Sequence, residues 1–338
     1  MLNDILEIIL VTYNRCDKLK QTMNQLLANT SPVRDIDITI VDNCSTDGTS
    51  EYIDTIAEKY KNIHHIRRRR NVGAKANIAF AYEIARKKYL WVLCDDDKYN
   101  FSAWDNIVDA MKNDEDIILM SKYALPKKHA EIDALALLVQ ATFVPGVIIK
   151  TDCLDDTTLR NIYDSIFTMY VQLIPIITML NNGKNFFIPR GHAVVQNGFD
   201  YGKKLKSGLD SHVNYCRGAN AEKMYYRSAH MSPYVGFANV MSLLKDEKLK
   251  KKHLDGLIKS PKPYLAKTLG NIQDLIYFAD IYSQLTKKQR IQFWWNCVKP
   301  GKFWKWIFQI DRLVENRRVT GFRKIVLFGK NIKIKRLK

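Results

Sequence analysis

Tyr89-Leu90-Trp91-Val92-Leu93-Cys94-Asp95-Asp96-Asp97 is an apolar run that ends in three consecutive carboxylates. The run suits a buried strand, and the acids suit the strand's end, where the chain leaves a sheet. Three like charges in series raise one another's pKa and repel, so the cluster is costly unless something neutralises it. A divalent cation is the usual remedy, because Mg²⁺ or Mn²⁺ takes one or two carboxylates together with substrate phosphates. A solvated acidic turn at a helix start is the bland alternative.

Three comparable runs precede this one, at Ile8–Val11, Ile36–Val41 and Ile63–Ile66. Between them lie apolar residues at helical spacing: Leu19, Met23, Leu26 and Leu27, then Tyr52, Ile53 and Ile56, then Ala76, Phe80 and Ile84. Alternation of strands and helices at these lengths predicts right-handed crossovers and a largely parallel sheet. Ser45 and Asp47 offer caps for the second helix, and Ser102 for the helix after the acids. Ligands bind such sheets outside the carboxyl ends of the strands. Four polar clusters fall there: Thr12-Tyr13-Asn14-Arg15, Asp42-Asn43, Asn71-Val72-Gly73 and Asp95-Asp96-Asp97. Together they predict one rim, the expected active site. Asp42 is placed to accept hydrogen bonds from a base edge or a ribose hydroxyl. Arg67-Arg68-Arg69-Arg70 reads as a solvated strand end from which one guanidinium could reach a diphosphate.

Later segments are less regular. Phe143–Lys150 reads as a strand or strand pair broken at Pro145-Gly146, Tyr163–Leu180 as a helix ending at Asn181-Asn182-Gly183, and Phe186–Pro189 as a further strand. Of the net charge of +18 over 338 residues, the stretch from Lys245 to Lys338 holds 24 Lys or Arg against 7 Asp or Glu, or +17, which leaves the remainder at +1. Such asymmetry marks a distinct basic surface. The six cysteines show no paired short spacing, which argues against a zinc site or disulfide framework and fits a reducing compartment. No signal peptide is read at the start, and the apolar stretch Ile166–Leu180 is too short to span a bilayer. The expected location is the cytosol.

The ordered motifs Ile9-Leu10-Val11-Thr12-Tyr13-Asn14-Arg15, Val41-Asp42-Asn43-Cys44-Ser45-Thr46-Asp47-Gly48-Thr49, Asn71-Val72-Gly73-Ala74-Lys75-Ala76-Asn77 and Asp95-Asp96-Asp97 resemble those of the family 2 glycosyltransferases. The resemblance covers Glu7 to about Asn113, continues faintly to about Pro189, and is absent from the basic tail. It implies an α/β, GT-A type fold: a mixed, mostly parallel sheet flanked by helices, here with a mainly helical basic C-terminal extension. The expected organisation is a glycosyltransferase domain over 1–235, with nucleotide-sugar binding in 1–113 and acceptor binding in 114–235, then the extension over 236–338.

The resemblance also implies roles. Thr12, Tyr13 and Asn14 would frame base and ribose, and Asp42 and Asn43 would contact the nucleotide. Asn71, Gly73 and Asn77 would shape the adjoining loop and helix. Asp95 would lie near ribose and donor sugar and join Asp97 in holding the Mn²⁺ or Mg²⁺, with Asp97 the direct ligand and Asp96 in the catalytic and donor-binding set. Arg15 would touch a phosphate or remain an exposed helix-start residue. The family normally inverts the anomeric carbon and needs a carboxylate base. The matching position, about Val171-Gln172, has none. Asp164 is the first substitute, and Asp152, Asp155 and Asp156 the next. His192 is the candidate for completing the metal site.

In the tail, Phe303, Trp306, Ile307, Ile310, Leu313 and Val314 form an apolar stripe if Lys302–Val314 is helical. A basic, aromatic helix suits an anionic membrane surface; a helix packed on the enzyme is the alternative, and nucleic acid lacks any accompanying module. The expected activity is transfer of a sugar from an NDP-sugar, in the first instance a UDP-sugar, to a hydroxyl of a growing, lipid-linked cell-surface glycan, on the cytoplasmic face of the inner membrane. The alternatives are an inactive GT-A-fold nucleotide-binding scaffold at the membrane and a nucleotidyltransferase that makes sugar nucleotides. The latter normally needs a glycine-rich loop after the first strand, as a dehydrogenase does.

Overall fold

The computed structural model describes residues 2–120, 134–189, 194–195, 233–259, 279, 281–298, 308–315, 318–327 and 330–335. The chain divides into two compact units, Met1–Lys250 and Lys251–Lys338.

In the first unit the helix α1 (Leu2–Ile5) leads into β1 (Leu6–Thr12), α2 (Cys16–Leu26), β2 (Ile38–Asp42), α3 (Thr49–Lys59), β3 (Ile63–Arg67), α4 (Ala74–Glu83) and β4 (Tyr89–Cys94). There follow β5 (Lys98–Tyr99), α5 (Trp104–Lys112), β6 (Ile117–Leu119), α6 (Ala134–Gln140), β7 (Val147–Lys150), α7 (Asp156–Asp164), α8 (Leu173–Asn181), β8 (Phe186–Phe187) and β9 (Val194–Val195). Among the described residues the main sheet has seven strands in the order β3-β2-β1-β4-β7-β6-β8. β3, β2, β1 and β4 are mutually parallel, and β7 alone runs against both its neighbours, β4 and β6. The expected mixed, mostly parallel sheet flanked by helices is therefore what forms.

Period-two patterning explains how one sheet carries two cores. Ile8, Leu10, Trp91 and Leu93 join α2, α3 and α5 in one apolar cluster, while Ile9, Leu90 and Val92 join α4, α6 and α8 in the other. Because both faces are covered, the central strands read as continuous apolar runs rather than alternating ones. Trp91 is 0% exposed; its ring lies 5.8 Å from that of Tyr99 and 5.9 Å from that of Trp104, and its Nε1 donates to the Pro145 carbonyl at 2.9 Å.

Three segments differ from the sequence reading. The helix expected over Tyr163–Leu180 is two pieces: α7 runs on through a 3-10 turn at Ile166–Thr168, and Met169, with φ of 67°, breaks the chain before α8. Pro175 is the third residue of α8, where its missing N–H has no partner to lose. Ser102 does not open the next helix, which starts at Trp104. In the basic extension, helices at Pro233–Met241, Glu247–Lys259 and Lys287–Val298 come first, but the helical stripe expected over Lys302–Val314 does not hold. Phe308–Glu315 is a strand, paired antiparallel with Arg318–Leu327, which in turn pairs with Lys330–Lys335. Alternation such as Ile332-Lys333-Ile334-Lys335 has the period of a strand, and a register shift between Arg312 and Val314 absorbs the adjacent apolar pair Leu313-Val314.

The helix Pro233–Met241 packs in the first unit, with Val240 and Met241 fully buried in the second apolar cluster. Gly236 permits this: a Cβ there would sit 2.0 Å from the carbonyl oxygen of Thr168.

Candidate active site

Strand register lines up the predicted rim. Arg67 pairs with Asp42, Asp42 with Thr12, and Val11 with Cys94, so the chain ends at Arg67, Asp42, Thr12 and Asp95 stand in a row along one edge of the sheet. Neighbouring strands lie about 4.8 Å apart, which spaces Asp42 and Asp95 by roughly 10 Å, a nucleotide's width.

At one end of the row is a carboxylate cluster. Thr12 Oγ1 donates to Asp95 Oδ2 at 2.6 Å, and Arg15 Nη1 bridges Asp95 Oδ1 at 2.8 Å and Asp96 Oδ2 at 2.9 Å. Lys18 Nζ lies 3.7 Å from Asp96 Oδ2, and Thr22 Oγ1 donates to the Asp95 carbonyl at 2.9 Å. Asp95 and Asp97 are buried, while the side chain of Asp96 keeps 15% of its surface open. Burial pushes the Asp95 carboxyl above its ordinary range, against the pull of Arg15. Burial works the other way on the Arg15 guanidinium, but the charges of Asp95 and Asp96 outweigh it and hold Arg15 protonated. The same acids, added to burial, push the Cys94 thiol and Tyr99 hydroxyl well up, so neither ionises near neutrality.

The centre of the row is a web of polar loops. Asp42 is fully buried; its Oδ1 accepts from the Ser45 N–H at 3.0 Å, its Oδ2 accepts from the Ser50 hydroxyl, and Arg67 Nε approaches at 3.7 Å. Asn14 adopts φ of 49°, which asparagine tolerates, and this lets its N–H donate to Ser45 Oγ and its Oδ1 accept from Thr46 N–H, each at 2.8 Å. Asn43 Nδ2 donates to Asn71 Oδ1 at 2.8 Å while Asn43 Oδ1 accepts from Val72 N–H. Gly73 has φ of +85°, which L side chains rarely adopt, and it opens α4. Asn77 is buried, ties α4 to the Val41 carbonyl, and leaves its Oδ1 without a hydrogen-bond partner among the described residues. Tyr13 is half-buried beside Thr12.

Asp42 thus already serves the fold. Asp42→Ala is expected to cost about 3 kcal/mol, since two donors lose a charged acceptor; urea unfolding measures it. Asp42→Asn keeps one acceptor and the shape. If it restores stability but not nucleotide affinity, the carboxylate also reads the ligand; if it restores both, the loop is its whole role.

Several sequence candidates do not reach this rim. Asp164 is exposed at the last turn of α7, and the Tyr163 hydroxyl beside it donates to Glu83 in the last turn of α4, whereas the rim adjoins that helix's first turn. Asp155 caps α7 by accepting from Thr158 N–H at 2.7 Å, and Asp152 faces Lys184 at 3.7 Å. Gln172 is buried, with Nε2 donating to the Thr142 carbonyl and Oε1 without a partner among the described residues, so that position is part of the core. His192 lies outside the described residues. Arg68 stacks on Phe80 at 4.1 Å, and Arg67 donates to the Ser45 carbonyl.

Sequence reasoning passed over Thr22, Ser50 and Lys75. Thr22 and Ser50 each look like ordinary helix residues, and their partners, the Asp95 carbonyl and the Asp42 carboxylate, lie at the ends of β4 and β2. Lys75, in the first turn of α4, is buried, which lowers its pKa to about 8; a lysine in a Gly-Ala-Lys-Ala stretch reads as solvent-facing.

No group of three or more His, Cys, Asp or Glu side chains among the described residues is set to hold a metal by itself. What the cluster does hold is positive charge, in the form of the Arg15 guanidinium across two of its acids. That suits a divalent ion taking one or two carboxylates and completing its shell with phosphate oxygens.

Residues 7–134 match the family described as Glycosyl transferase family 2. The chain is 38% identical over 88 residues to the abequosyltransferase RfbV of Salmonella typhimurium, covering 25% of this chain and 26% of that protein. It is 25% identical over 188 residues to the poly(ribitol-phosphate) beta-glucosyltransferase of Bacillus spizizenii, covering 50% of this chain and 29% of that protein. The chain thus spans well under half the length of these two relatives. Among solved structures it is similar to residues 1–349 of S. aureus TarS in complex with UDP-GlcNAc, with a TM-score of 0.56 at 13% identity over 99% of this chain and 100% of that one. Residues 7–134 of the chain thus resemble glycosyl transferase family 2, and the sheet and rim built on them are GT-A like.

Proposed function

We propose that the chain transfers a sugar from a nucleoside-diphosphate donor, in the first instance a UDP-sugar, to a hydroxyl of a growing cell-surface glycan carried on lipid, at the cytoplasmic face of the membrane, with inversion. The observation that carries this is the row Asp42–Thr12–Asp95, whose spacing matches a nucleotide laid across β2, β1 and β4. The name of one relative, a beta-glucosyltransferase of poly(ribitol phosphate), agrees with a polymer acceptor, and that of another, an abequosyltransferase, with sugar transfer.

In this reading the loop at Asp42, Asn43 and Asn71 holds base and ribose, and Arg15 turns from the acids toward the diphosphate. A divalent cation bound by Asp97 and Asp95 would neutralise charge on the departing diphosphate. The acceptor oxygen bonds to the anomeric carbon as the bond from that carbon to the phosphate oxygen breaks. Inversion requires the hydroxyl proton to pass to a carboxylate on the face opposite the departing diphosphate, and Asp96, the acid of the cluster with the most open surface, is our candidate for it.

The test is a panel of UDP-, GDP-, dTDP- and CDP-sugars with Mn²⁺ or with chelator, read by thermal shift and by release of nucleoside diphosphate. The sugar nucleotide of one base is expected to raise the melting temperature and, with water as substitute acceptor, to release its nucleoside diphosphate slowly. If no nucleotide sugar binds, the reading fails; binding without turnover on any glycan acceptor favours the scaffold.

A further inference from the structure

The second unit presents an apolar face on one helix. In Lys287–Val298, Phe293 is fully buried against Tyr282, with ring centroids 5.8 Å apart, and Asn296 Nδ2 donates to the Ile258 carbonyl at 2.7 Å, so the inner side of the helix is well held. The opposite side carries Ile291, Trp294 and Trp295, which are 64%, 49% and 60% exposed. These positions are spaced three and four residues apart and continue back through exposed Lys287 and Lys288, making one stripe along the helix. Trp294 is steadied in this orientation by its Nε1 bond to Tyr282 Oη at 2.8 Å and by Arg290 stacked on the Tyr282 ring at 5.2 Å. Two tryptophans and an isoleucine side by side in water are unfavourable, and such patches mark interaction surfaces. Two lysines in a first turn also oppose the helix dipole, a second local cost.

We propose that this stripe is the element that seats the protein on an anionic lipid surface, with Ile291 and Trp295 entering the headgroup boundary and Lys287 and Lys288 pairing with lipid phosphates. Charge selects this occupant. Lys251–Lys338 holds 21 Lys or Arg against 5 Asp or Glu, so a second copy of the same unit would be repelled, whereas an anionic bilayer attracts it. Tryptophan at the interface with lysine beside it is also the composition of helices that lie in a membrane surface. Among the described residues no helix is long and apolar enough to cross a membrane, so attachment through this face is peripheral. The segment once expected to do this, Lys302–Val314, is in part a strand, and the role moves to the helix before it. The inference is independent of the donor reading.

The experiment is flotation of the whole chain with phosphatidylcholine vesicles, with and without about 30% phosphatidylglycerol, enough to give the surface a negative potential. The wild type is expected to bind only the anionic vesicles and to release as salt rises. Ile291→Glu with Trp295→Glu is expected to lower partitioning about tenfold or more, and circular dichroism should show an unchanged melt because both side chains are solvent-facing. Lys287→Gln with Lys288→Gln leaves the apolar face intact and is expected to weaken partitioning about 30-fold, equivalent to about 1 kcal/mol per charge. Donor-sugar hydrolysis in vesicle-free buffer should be the same for all. Equal partitioning of both variants and wild type overturns the proposal, as does a wild type that ignores anionic vesicles. Light scattering that finds a dimer dissolved by Ile291→Glu with Trp295→Glu would give the face to a second copy instead.

Discussion

Asp97→Ala is expected to reduce turnover of the preferred nucleotide sugar by about 10²–10³-fold, the scale on which one group stabilising transition-state charge acts. The carboxylate is buried at the end of β4, two residues beyond Asp95, and its charge adds to those of Asp95 and Asp96 in raising the Cys94 and Tyr99 pKa values. Removing it relieves repulsion within the cluster, which offsets part of what the buried carboxylate's own contacts contribute to stability. Chemical denaturation of the variant separates loss of activity from loss of fold. Nucleotide affinity should lose most of its dependence on Mn²⁺ in the same variant, which a titration with and without chelator reads directly. A variant with wild-type turnover, or a wild type whose nucleotide affinity ignores the metal, would remove the cation from the mechanism and leave Arg15 as the local counter-charge.

The largest stability effect is expected at Trp91. This side chain fills the space between β4, α5 and the turn before β7, in ring contact with Tyr99 and Trp104. Trp91→Ala deletes a fully buried indole and leaves a cavity, which costs about 3–5 kcal/mol. The Pro145 carbonyl also loses its donor, for about 1 kcal/mol more. Against a total of about 5–15 kcal/mol for a domain, this consumes a large part of the stability. Chemical denaturation of Trp91→Ala and Trp91→Phe separates the two contributions, because phenylalanine refills much of the volume without restoring the hydrogen bond. A loss below about 1.5 kcal/mol in Trp91→Ala would mean that β4 is not packed as described. Since β4 ends in the three acids, donor affinity should weaken along with stability.

Trp91 and Asp97 lie six residues apart on one stretch of chain, and both were legible in it. The apolar run around Trp91 declares a buried strand, and the acids after it declare a site; both signals are local in the chain. The carbonyl that receives the Trp91 N–H, 54 residues away, carries no such signal. The tail shows the same limit. Its aromatic and basic composition pointed to a membrane, but the apolar positions of Lys302–Val314 fit both a helical stripe and, from Phe308, a strand with a shifted register. Cross-strand pairing decided between them.

Over about the first hundred residues the amino-acid order by itself determined the succession of strands and helices, the mostly parallel sheet and the collection of Thr12, Asp42, Asn71 and Asp95 at one rim. It could do so because strand period, helix period and the polarity of chain ends are properties of neighbouring residues. Only the tertiary structure decided that Arg15 bridges Asp95 and Asp96, that Gln172 belongs to the core, and that Trp294 and Trp295 face outward. Each of these depends on which segments, distant in sequence, the packing of the two apolar faces or of the second unit brings within a few ångströms. A hydrogen bond or an exposed ring is a property of that meeting and not of either segment alone.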